Sequence, residues 1–176
     1  MPMIRASEPQ FVSGREFGFD GSVKVHVTAV LHGDIEVGAN TRIDGGCVVT
    51  GRVRIGRNCH LSTGSCLFGA HGITVGDHVG ISAGVRVFTG TDDPRGDLLG
   101  LHEENELEHD GVHEPVWISD YVTVGANAVV LPGTILGAEA MVGALTLCRG
   151  MMAGGYIYGG IPWRIIRPRP KLRYAA

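Results

Sequence analysis

A six-residue period of apolar side chains runs through most of this chain and limits what it can fold into. Two sets of positions recur: large apolar residues, and small or β-branched residues two positions earlier. The first set is Val25, Leu31, Val37, Ile43, Val49, Ile55, Leu61, Leu67, Val75, Ile81, Val87, Ile118, Val124, Val130, Leu136, Val142 and Cys148. The second set is Val23, Ala29, Ile35, Thr41, Cys47, Val53, Cys59, Ser65, Ile73, Val79, Val85, Val116, Val122, Ala128, Thr134, Ala140 and Thr146. A period of six fits neither the 3.6-residue turn of an α-helix nor the alternation of long strands.

The period predicts short strands separated by tight corners. Three hexapeptides would form one triangular coil of about eighteen residues, and stacked coils would pair their strands in parallel. The 28 glycines, against only 8 prolines, suit corners whose backbone angles other residues resist. We therefore predict an all-β fold, a left-handed parallel β-helix, as a single domain over residues 1–176 with coils from about 23 to 150. A sandwich of short strands would instead show irregular turn spacing and period-two alternation.

Two interruptions break the period. The first, at Phe68 to Gly72, shifts the phase by two residues and lengthens one corner. The second, at about residues 91–115, is rich in Asp and Glu and contains His102, His109 and His113. It is too polar for the core, so it predicts a protruding loop that is either functional or merely solvated. After Cys148 the pattern ends, and residues 151–176 form a C-terminal segment with a basic tail.

Composition and charge narrow the class of protein. The net charge of −3 gives no cationic field for nucleic acid. No apolar run approaches the ~20 residues that a membrane-spanning helix needs. The first residues, Met1 to Asp20, lack the apolar core of a signal peptide, so we expect a cytoplasmic protein. The four cysteines have neither CxxC nor zinc-finger spacing, which predicts buried, reduced thiols and no bound metal.

Three stretches of sequence resemble one enzyme family. They are the segment from Val116 to Gly133, the run Val142-Gly143-Ala144, and the ending from Gly159 to Ile166, which reads GGIPWRII. Together with the six-residue period, they resemble the hexapeptide acyltransferases over about residues 23–167. The similarity is greatest to the maltose and galactoside acetyltransferases and to the acyltransferases of nucleotide-linked amino sugars. The repeats are shared by several functions, whereas the ending is more specific to acyltransferases.

The resemblance implies a homotrimer that uses acetyl-CoA, with active sites between neighbouring subunits. Ala126 and Ala144 match residues that line the thioester arm of the cofactor, and Arg164 and Arg167 match basic residues that meet its phosphates. This is physically reasonable because arginine presents a rigid fork of donors to phosphate. Small residues also let an extended ligand approach the backbone. The alternative for the basic tail is a solvated chain end, more so for its three distal residues than for Arg164 and Arg167.

The residues expected near the acceptor differ from those of the sugar O-acetyltransferases. In those enzymes a histidine follows the strand that here reads Val85 to Thr91, and it acts as general base on the acceptor hydroxyl. This chain has Asp92 and Asp93 at that place. In this respect the chain resembles the amino-sugar acyltransferases, which have a similar Asp-Asp pair after the same strand and a counterpart of His60. A neutral amine is already nucleophilic, so a carboxylate that orients it or accepts its proton would suffice.

We therefore predict transfer of an acetyl or short acyl group from coenzyme A to an amino sugar carried on a nucleotide, in surface polysaccharide or glycan biosynthesis. The catalytic candidates are His60, Asp92 and Asp93. Alternatively, the aspartates only begin the acidic loop and His60 is a surface or subunit-contact residue. Two other functions stay open, a sugar O-acetyltransferase and a non-catalytic β-helix scaffold. A zinc carbonic anhydrase of the same fold is disfavoured, because its closely spaced histidines are missing between Ile118 and Cys148.

Overall fold

The computed structural model describes residues 11–91 and 111–172, so Asp92, Asp93 and most of the predicted loop lie outside the described residues. The one described helix is a 3-10 turn, Gly14–Phe17. The strands in chain order are β1 (Phe11–Ser13), β2 (Lys24–His26), β3 (Val30–Val37), β4 (Arg42–Ile43), β5 (Val48–Ile55), β6 (His60–Leu61), β7 (Cys66–Val75), β8 (Gly80–Ile81), β9 (Arg86–Phe88), β10 (Gly90–Thr91), β11 (Val112–His113), β12 (Val116–Ile118), β13 (Thr123–Val124), β14 (Val129–Val130), β15 (Ile135–Leu136), β16 (Met141–Val142), β17 (Leu147–Cys148), β18 (Met151–Met152), β19 (Tyr156–Gly159) and β20 (Arg164–Pro168). No helix among the described residues is long and apolar enough to cross a membrane.

These strands form the three faces of a left-handed β-helix of about six coils, which confirms the fold prediction. The first face contains β2, β4, β6, β8, β13, β16 and β19. The second face contains β9, β14, β17 and the first parts of the long strands β3, β5 and β7. The third face contains β12, β15, β18 and the last parts of those long strands. We number the coils by their first-face strand, so β2 opens the first coil and β13 the fifth.

The spacing of equivalent residues reproduces both interruptions. In regular coils they lie 18 residues apart, as do Thr41 and Cys59. Across the predicted slip the distance grows to 20 residues, and the pairing of β5 with β7 shifts register between Gly51 and Val53. Across the predicted loop the distance is 43 residues. The loop leaves and returns on the antiparallel pair β10 and β11, so it starts and ends at one corner.

The inward side chains stack on their equivalents one coil away. On the first face Val25, Ile43, Leu61, Ile81 and Val124 are all at most 1% exposed. Full burial of such a side chain is worth roughly 1.5–3 kcal/mol. Buried hydroxyls among them are satisfied locally, since Thr134 donates to the Leu131 carbonyl at 2.7 Å. The sequence period therefore produces one continuous core.

The coils extend past the predicted limit near residue 150. β18 pairs in parallel with β15, and β19 with β16, while Met152 and Tyr158 occupy inward positions and are buried. The pattern is lost from the sequence because this coil is shorter, with Met141 opposite Ile157 rather than a residue 18 positions on. β20 then folds back antiparallel onto β19. At the other end β1 pairs antiparallel with β2.

Glycine is required where the long strands bend from the second face to the third. Gly33, Gly51 and Gly69 are stacked in successive coils. Gly51 has φ +86°, and a Cβ there would lie 2.5 Å from the Gly69 carbonyl carbon. Gly64 has a similar φ of +69° but nothing within 4 Å of its Cβ position.

We expect Gly51→Ala to destabilise the fold more than Gly64→Ala. A side chain in the left-handed region costs about 1–2 kcal/mol at either site, and overpacking adds about 1–3 kcal/mol at Gly51 only. Thermal and urea unfolding of the two variants measure the difference. Equal losses would show that the backbone angle alone, not the contact with Gly69, requires glycine.

Candidate active site

Two corners of the triangular coil carry the predicted site residues. The first corner, between the first and second faces, consists of residues 45–46, 63–64, 83–84, 126–127 and 144–145. Backbone hydrogen bonds join its coils, from Gly64 N to Gly45 O at 3.0 Å up to Leu145 N to Ala126 O at 2.9 Å. The second corner, between the second and third faces, consists of residues 89–91, 131–133 and 149–150.

The first corner brings Ala126 and Ala144 together in adjacent coils. Ala126 is half-buried and Ala144 exposed. The backbone packs so closely here that a Cβ on Gly125 would lie 2.5 Å from the Ala144 nitrogen. The result is a smooth edge on which an extended ligand can approach the main chain. The sequence predicted this role for both alanines from resemblance, and the geometry is compatible with it.

A cleft of about 480 Å³ lies at the C-terminal end of the second face. Its lining residues are Leu147, Arg149, Ile161, Pro162 and Trp163. The Trp163 indole N–H donates to the Arg149 carbonyl at 3.0 Å, which fixes the segment after β19 over β17. Arg149 also lines a second cleft of about 320 Å³, at the second corner. The cleft thus combines apolar walls with one cation, a combination suited to a ligand with an apolar arm and phosphates.

Arg149 was missed by the sequence analysis. It follows the inward Cys148 directly, which marks it as a corner residue, but no motif singles it out. Its significance comes from the return of the chain over it, which only the tertiary structure reveals.

Arg164 and Arg167 lie exposed on β20, opposite Gly159 and Ile157 of β19. Their backbone is therefore fixed while their guanidinium groups stay accessible.

Arg169, in the same basic tail, has a different environment. Its Nη1 donates to the carbonyls of Tyr121 at 2.8 Å and Glu139 at 3.1 Å, and thereby ties the chain end across two coils. The alternative of a solvated tail does not hold for this residue.

His60 lies on the first face beside Asp44 of the preceding coil. His60 Nε2 is 2.7 Å from one Asp44 oxygen, and Arg42 Nε is 2.6 Å from the other. Burial alone would raise the pKa of Asp44, but the hydrogen bonds from Arg42 and His60 outweigh it and lower the pKa. The carboxylate therefore stays ionised and holds the Nε2–H of His60 toward itself, with Nδ1 on the other side of the ring. A base oriented by a third group has this arrangement.

Asp44 was also missed by the sequence analysis. Asp44 and His60 flank the inward residues Ile43 and Leu61 of adjacent coils, so both point outward on one face. Their proximity depends on a diagonal contact between coils, which spacing in the sequence does not reveal.

One chain does not bring all the predicted residues together. Thr91, the last described residue before Asp92, lies at the second corner, whereas Ala126 and Ala144 lie at the first. The second face separates them, a width of roughly 15 Å at about 3.3 Å per strand residue. Asp92 and Asp93 themselves lie outside the described residues. Among the described residues no group of three His, Cys, Asp or Glu side chains could hold a metal ion.

Comparison with known proteins finds similarity to acyltransferases. A family model described as the hexapeptide repeat of succinyl-transferase matches residues 52–88 and 115–144. The dTDP-4-amino-4,6-dideoxy-D-glucose acyltransferase of Escherichia coli is 28% identical over 166 residues, or 89% of this chain and 86% of that protein. The galactoside O-acetyltransferase of Escherichia coli strain K12 is 25% identical over 117 residues, or 65% of this chain and 53% of that protein.

Solved structures extend the similarity to nearly the whole fold. AntD, an N-acyltransferase from Bacillus cereus in complex with dTDP and 3-hydroxybutyryl-CoA, has a TM-score of 0.86 at 29% identity, over 93% of this chain and 92% of that one. A variant of AntD in complex with dTDP-4-amino-4,6-dideoxyglucose and coenzyme A has a TM-score of 0.87 at 28% identity, over 93% of each chain. The resemblance inferred from the sequence is confirmed: over nearly its whole length the chain is similar to acyltransferases of the hexapeptide-repeat type.

Proposed function

We propose that this protein transfers an acyl group, acetyl or another short chain, from coenzyme A to the amino group of a dTDP-linked amino sugar. The observation that carries the proposal is the match to AntD over more than nine tenths of both chains, since the AntD structures hold dTDP, its 4-amino-4,6-dideoxyglucose conjugate and coenzyme A. The Escherichia coli relative, at 28% identity, is likewise an acyltransferase of dTDP-4-amino-4,6-dideoxy-D-glucose. We place the reaction in the cytoplasm, in the biosynthesis of surface glycans. We treat residues 1–176 as one acyltransferase domain.

The reaction joins the amine to the acyl carbon and releases the thiol. The neutral amine nitrogen attacks the thioester carbonyl carbon, the carbon–sulfur bond breaks, and the thiolate leaves with the bonding electrons. The amine must lose one proton, which ends on the departing sulfur or in solvent. We propose that Asp92 or Asp93 orients the amine and accepts that proton. His60, held by Asp44, is the competing base, and its geometry is the observation that favours an O-acetyltransferase.

The donor fits the C-terminal half of the molecule. We propose that the pantetheine arm runs along the first corner over Ala126 and Ala144. The nucleotide end of coenzyme A then meets the cleft at Trp163 and Arg149, with its phosphates at Arg164 and Arg167. The cleft offers apolar walls and the cation of Arg149, which suit an apolar arm and a phosphate.

A second copy of the chain would complete the site. We propose a homotrimer whose active sites lie between neighbouring subunits, because one chain leaves Thr91 and Ala126 at different corners. The outward residues of the second face support this, since Val30, Val48, Val129 and Leu147 are apolar. Arg86, in the same row, is satisfied by the Gly64 and Gly84 carbonyls at 2.7 and 2.8 Å. By contrast, the third face carries the ion pairs of Arg54 with Asp34 and Glu36.

We expect a trimer in sedimentation equilibrium at micromolar concentration. Val48→Glu places a charge in the apolar row, between Val30 and Cys66, and should dissociate the trimer with loss of activity, because the charge would be buried without a partner. Thr74→Glu, an exposed outward position on the third face, is the matched control and should leave both unchanged. A stable wild-type monomer would contradict the trimer and the shared site.

Arg164→Ala and Arg167→Ala should weaken coenzyme A binding while the fold stays intact. Each loses a charged hydrogen bond to phosphate worth ~1.5–3 kcal/mol, which is about a tenfold to hundredfold rise in Kd. Calorimetric titration with coenzyme A measures it. Arg52→Ala, an exposed arginine on β5, controls for the change in net charge. Unchanged affinity in both tail variants would refute this assignment.

Thiol release should be fastest with dTDP-linked amino sugars and should rise toward alkaline pH, because the amine must lose its proton to attack. Asp92→Asn should lower kcat by ~10²–10⁴-fold if the carboxylate takes the proton, with little effect on coenzyme A binding. Chromatography with mass detection of the product shows whether nitrogen or oxygen was acylated.

His60→Asn tests the competing base in the same assay. If only hydroxyl-bearing sugars serve as acceptors, and activity is abolished in His60→Asn but retained in Asp92→Asn, the protein is an O-acetyltransferase and not an N-acyltransferase. Thermal stabilisation by acetyl-CoA, in turn, separates any transferase from a non-catalytic scaffold.

A further inference from the structure

The two interruptions of the repeat lie at the same corner, in adjacent coils. In the third coil the second corner holds residues 70–72, whereas the coil before has only Arg52 between the equivalent paired residues. We call residues 70–72 the bulge. In the fourth coil the excursion leaves and returns at this corner on β10 and β11. The two extra residues of the third coil therefore adjoin the base of the loop.

Thr89, three residues before Asp92, joins the bulge to both ends of the loop. It is fully buried. Its hydroxyl donates to the Phe68 carbonyl at 2.8 Å and accepts from the His71 backbone N–H at 3.0 Å, so it serves as donor and acceptor at once. Its own carbonyl accepts from the backbone N–H of Glu114, the residue after β11, at 3.1 Å. One threonine thus connects the bulge, the departing chain and the returning chain.

Two imidazole rings pack against each other over this junction. The ring centroids of His71 and His113 are 4.6 Å apart, and the ring planes are inclined by 39°. His71 belongs to the bulge and His113 to the returning strand β11. The contact therefore braces the base of the loop against the coil before it.

Glycine in β10 leaves room for both rings. A Cβ on Gly90 would lie 3.1 Å from His113 Nδ1 and 3.6 Å from His71 Cδ2. On the returning chain, a Cβ on Gly111 would lie 2.5 Å from the Thr91 carbonyl oxygen. The base of the loop is therefore closely packed up to Thr91, the residue directly before Asp92.

The direction of the chain at Thr91 bears on the rate without any contact with a ligand. A carboxylate that takes a proton must lie within ~2.6–3.2 Å of the group that gives it. A misplacement of about 1 Å, caused by a change away from the reacting atoms, can cost about 10²-fold in rate. Asp92 follows Thr91 directly, so a tilt of β10 is passed to it through the backbone.

We propose that His71 is a positioning residue. Its contacts with Thr89 and His113, which we call the loop bracket, fix the direction in which the chain leaves Thr91 and so place the carboxylates that follow. The inference rests on the proposed function, because it assumes that an aspartate after Thr91 acts on the amine. It gives the two-residue slip a role, since the bulge lies in the coil that adjoins the loop.

Steady-state acylation of a dTDP-linked amino sugar by the full chain tests the bracket. His71→Ala should lower kcat about tenfold to hundredfold, with little change in KM for the sugar or in the Kd for coenzyme A, because the carboxylate is displaced while the ligand contacts remain. His71→Phe keeps a ring against His113 and should restore most of kcat. His78→Ala is the matched control and should retain wild-type kcat, since His78 is also an exposed corner histidine, stacked on Tyr121 at 4.7 Å.

A double-mutant cycle separates positioning from a general loss of stability. His71→Ala is combined with whichever of Asp92→Asn and Asp93→Asn lowers kcat more, at a temperature where thermal unfolding shows every variant folded. If His71 acts through that carboxylate, its removal has little further effect in the aspartate variant. Two losses of kcat that multiply in full would overturn the inference, and so would wild-type kcat in His71→Ala.

The remaining outcomes distinguish the bracket from the proposed function. A His71→Phe variant as slow as His71→Ala would overturn the bracket, because ring packing would not be what matters. Wild-type turnover of dTDP-linked amino sugars that neither aspartate variant slows would also overturn it and leave acyl transfer intact. A wild-type protein that acylates none of these sugars would instead overturn the proposed function, and the inference with it.

Discussion

Every feature of this molecule depends on the stacking of one coil on the next. Each short strand has only two or three residues, too few to be stable alone, and its backbone groups are satisfied by the coils above and below. The same stacking places like residues over like, so that the apolar set forms a core and the outward set forms rows. Rows, rather than loops, therefore determine where ligands can lie.

The rows along the first corner explain how such a regular scaffold can carry an asymmetric reaction. At one end the row contains small residues and the returning chain with Trp163; at the other it contains Arg42, Asp44 and His60. The two ends of one edge thus differ in chemistry, with small and apolar residues at one end and charged residues at the other. The edge does not include Thr91, the last described residue before the catalytic candidates Asp92 and Asp93. Thr91 lies at the second corner, on the far side of the second face. The reaction would accordingly require neighbouring copies, and assembly would be a condition of activity.

The sequence predicted the fold almost completely because its determinant is local and repeated. The six-residue period, the two-residue slip near Gly69 and the excursion after Thr91 all reappear in the strand register. The last coil was not predicted because it is shorter, so that its inward residues Met152 and Tyr158 are out of phase with the six-residue period. For the site, local motifs singled out Ala126, Ala144 and Arg164 by resemblance, and their contact with the cofactor stays a prediction. Asp44 and Arg149 could not be found in this way, because each matters through a contact with another coil or with the returning chain, and such contacts leave no fixed spacing in the sequence.

The two antiparallel strands at the ends of the first face have a consequence for solubility. A stack of parallel coils exposes an unpaired strand edge at each end, on which the coils of another molecule could continue the pattern without limit. Here β1 covers one edge and β20 the other, both running against the direction of the coils. β20 also ends in Pro168, which has no N–H for a further strand, and carries two arginines. The same short segment that carries two exposed arginines therefore also closes the C-terminal edge of the first face.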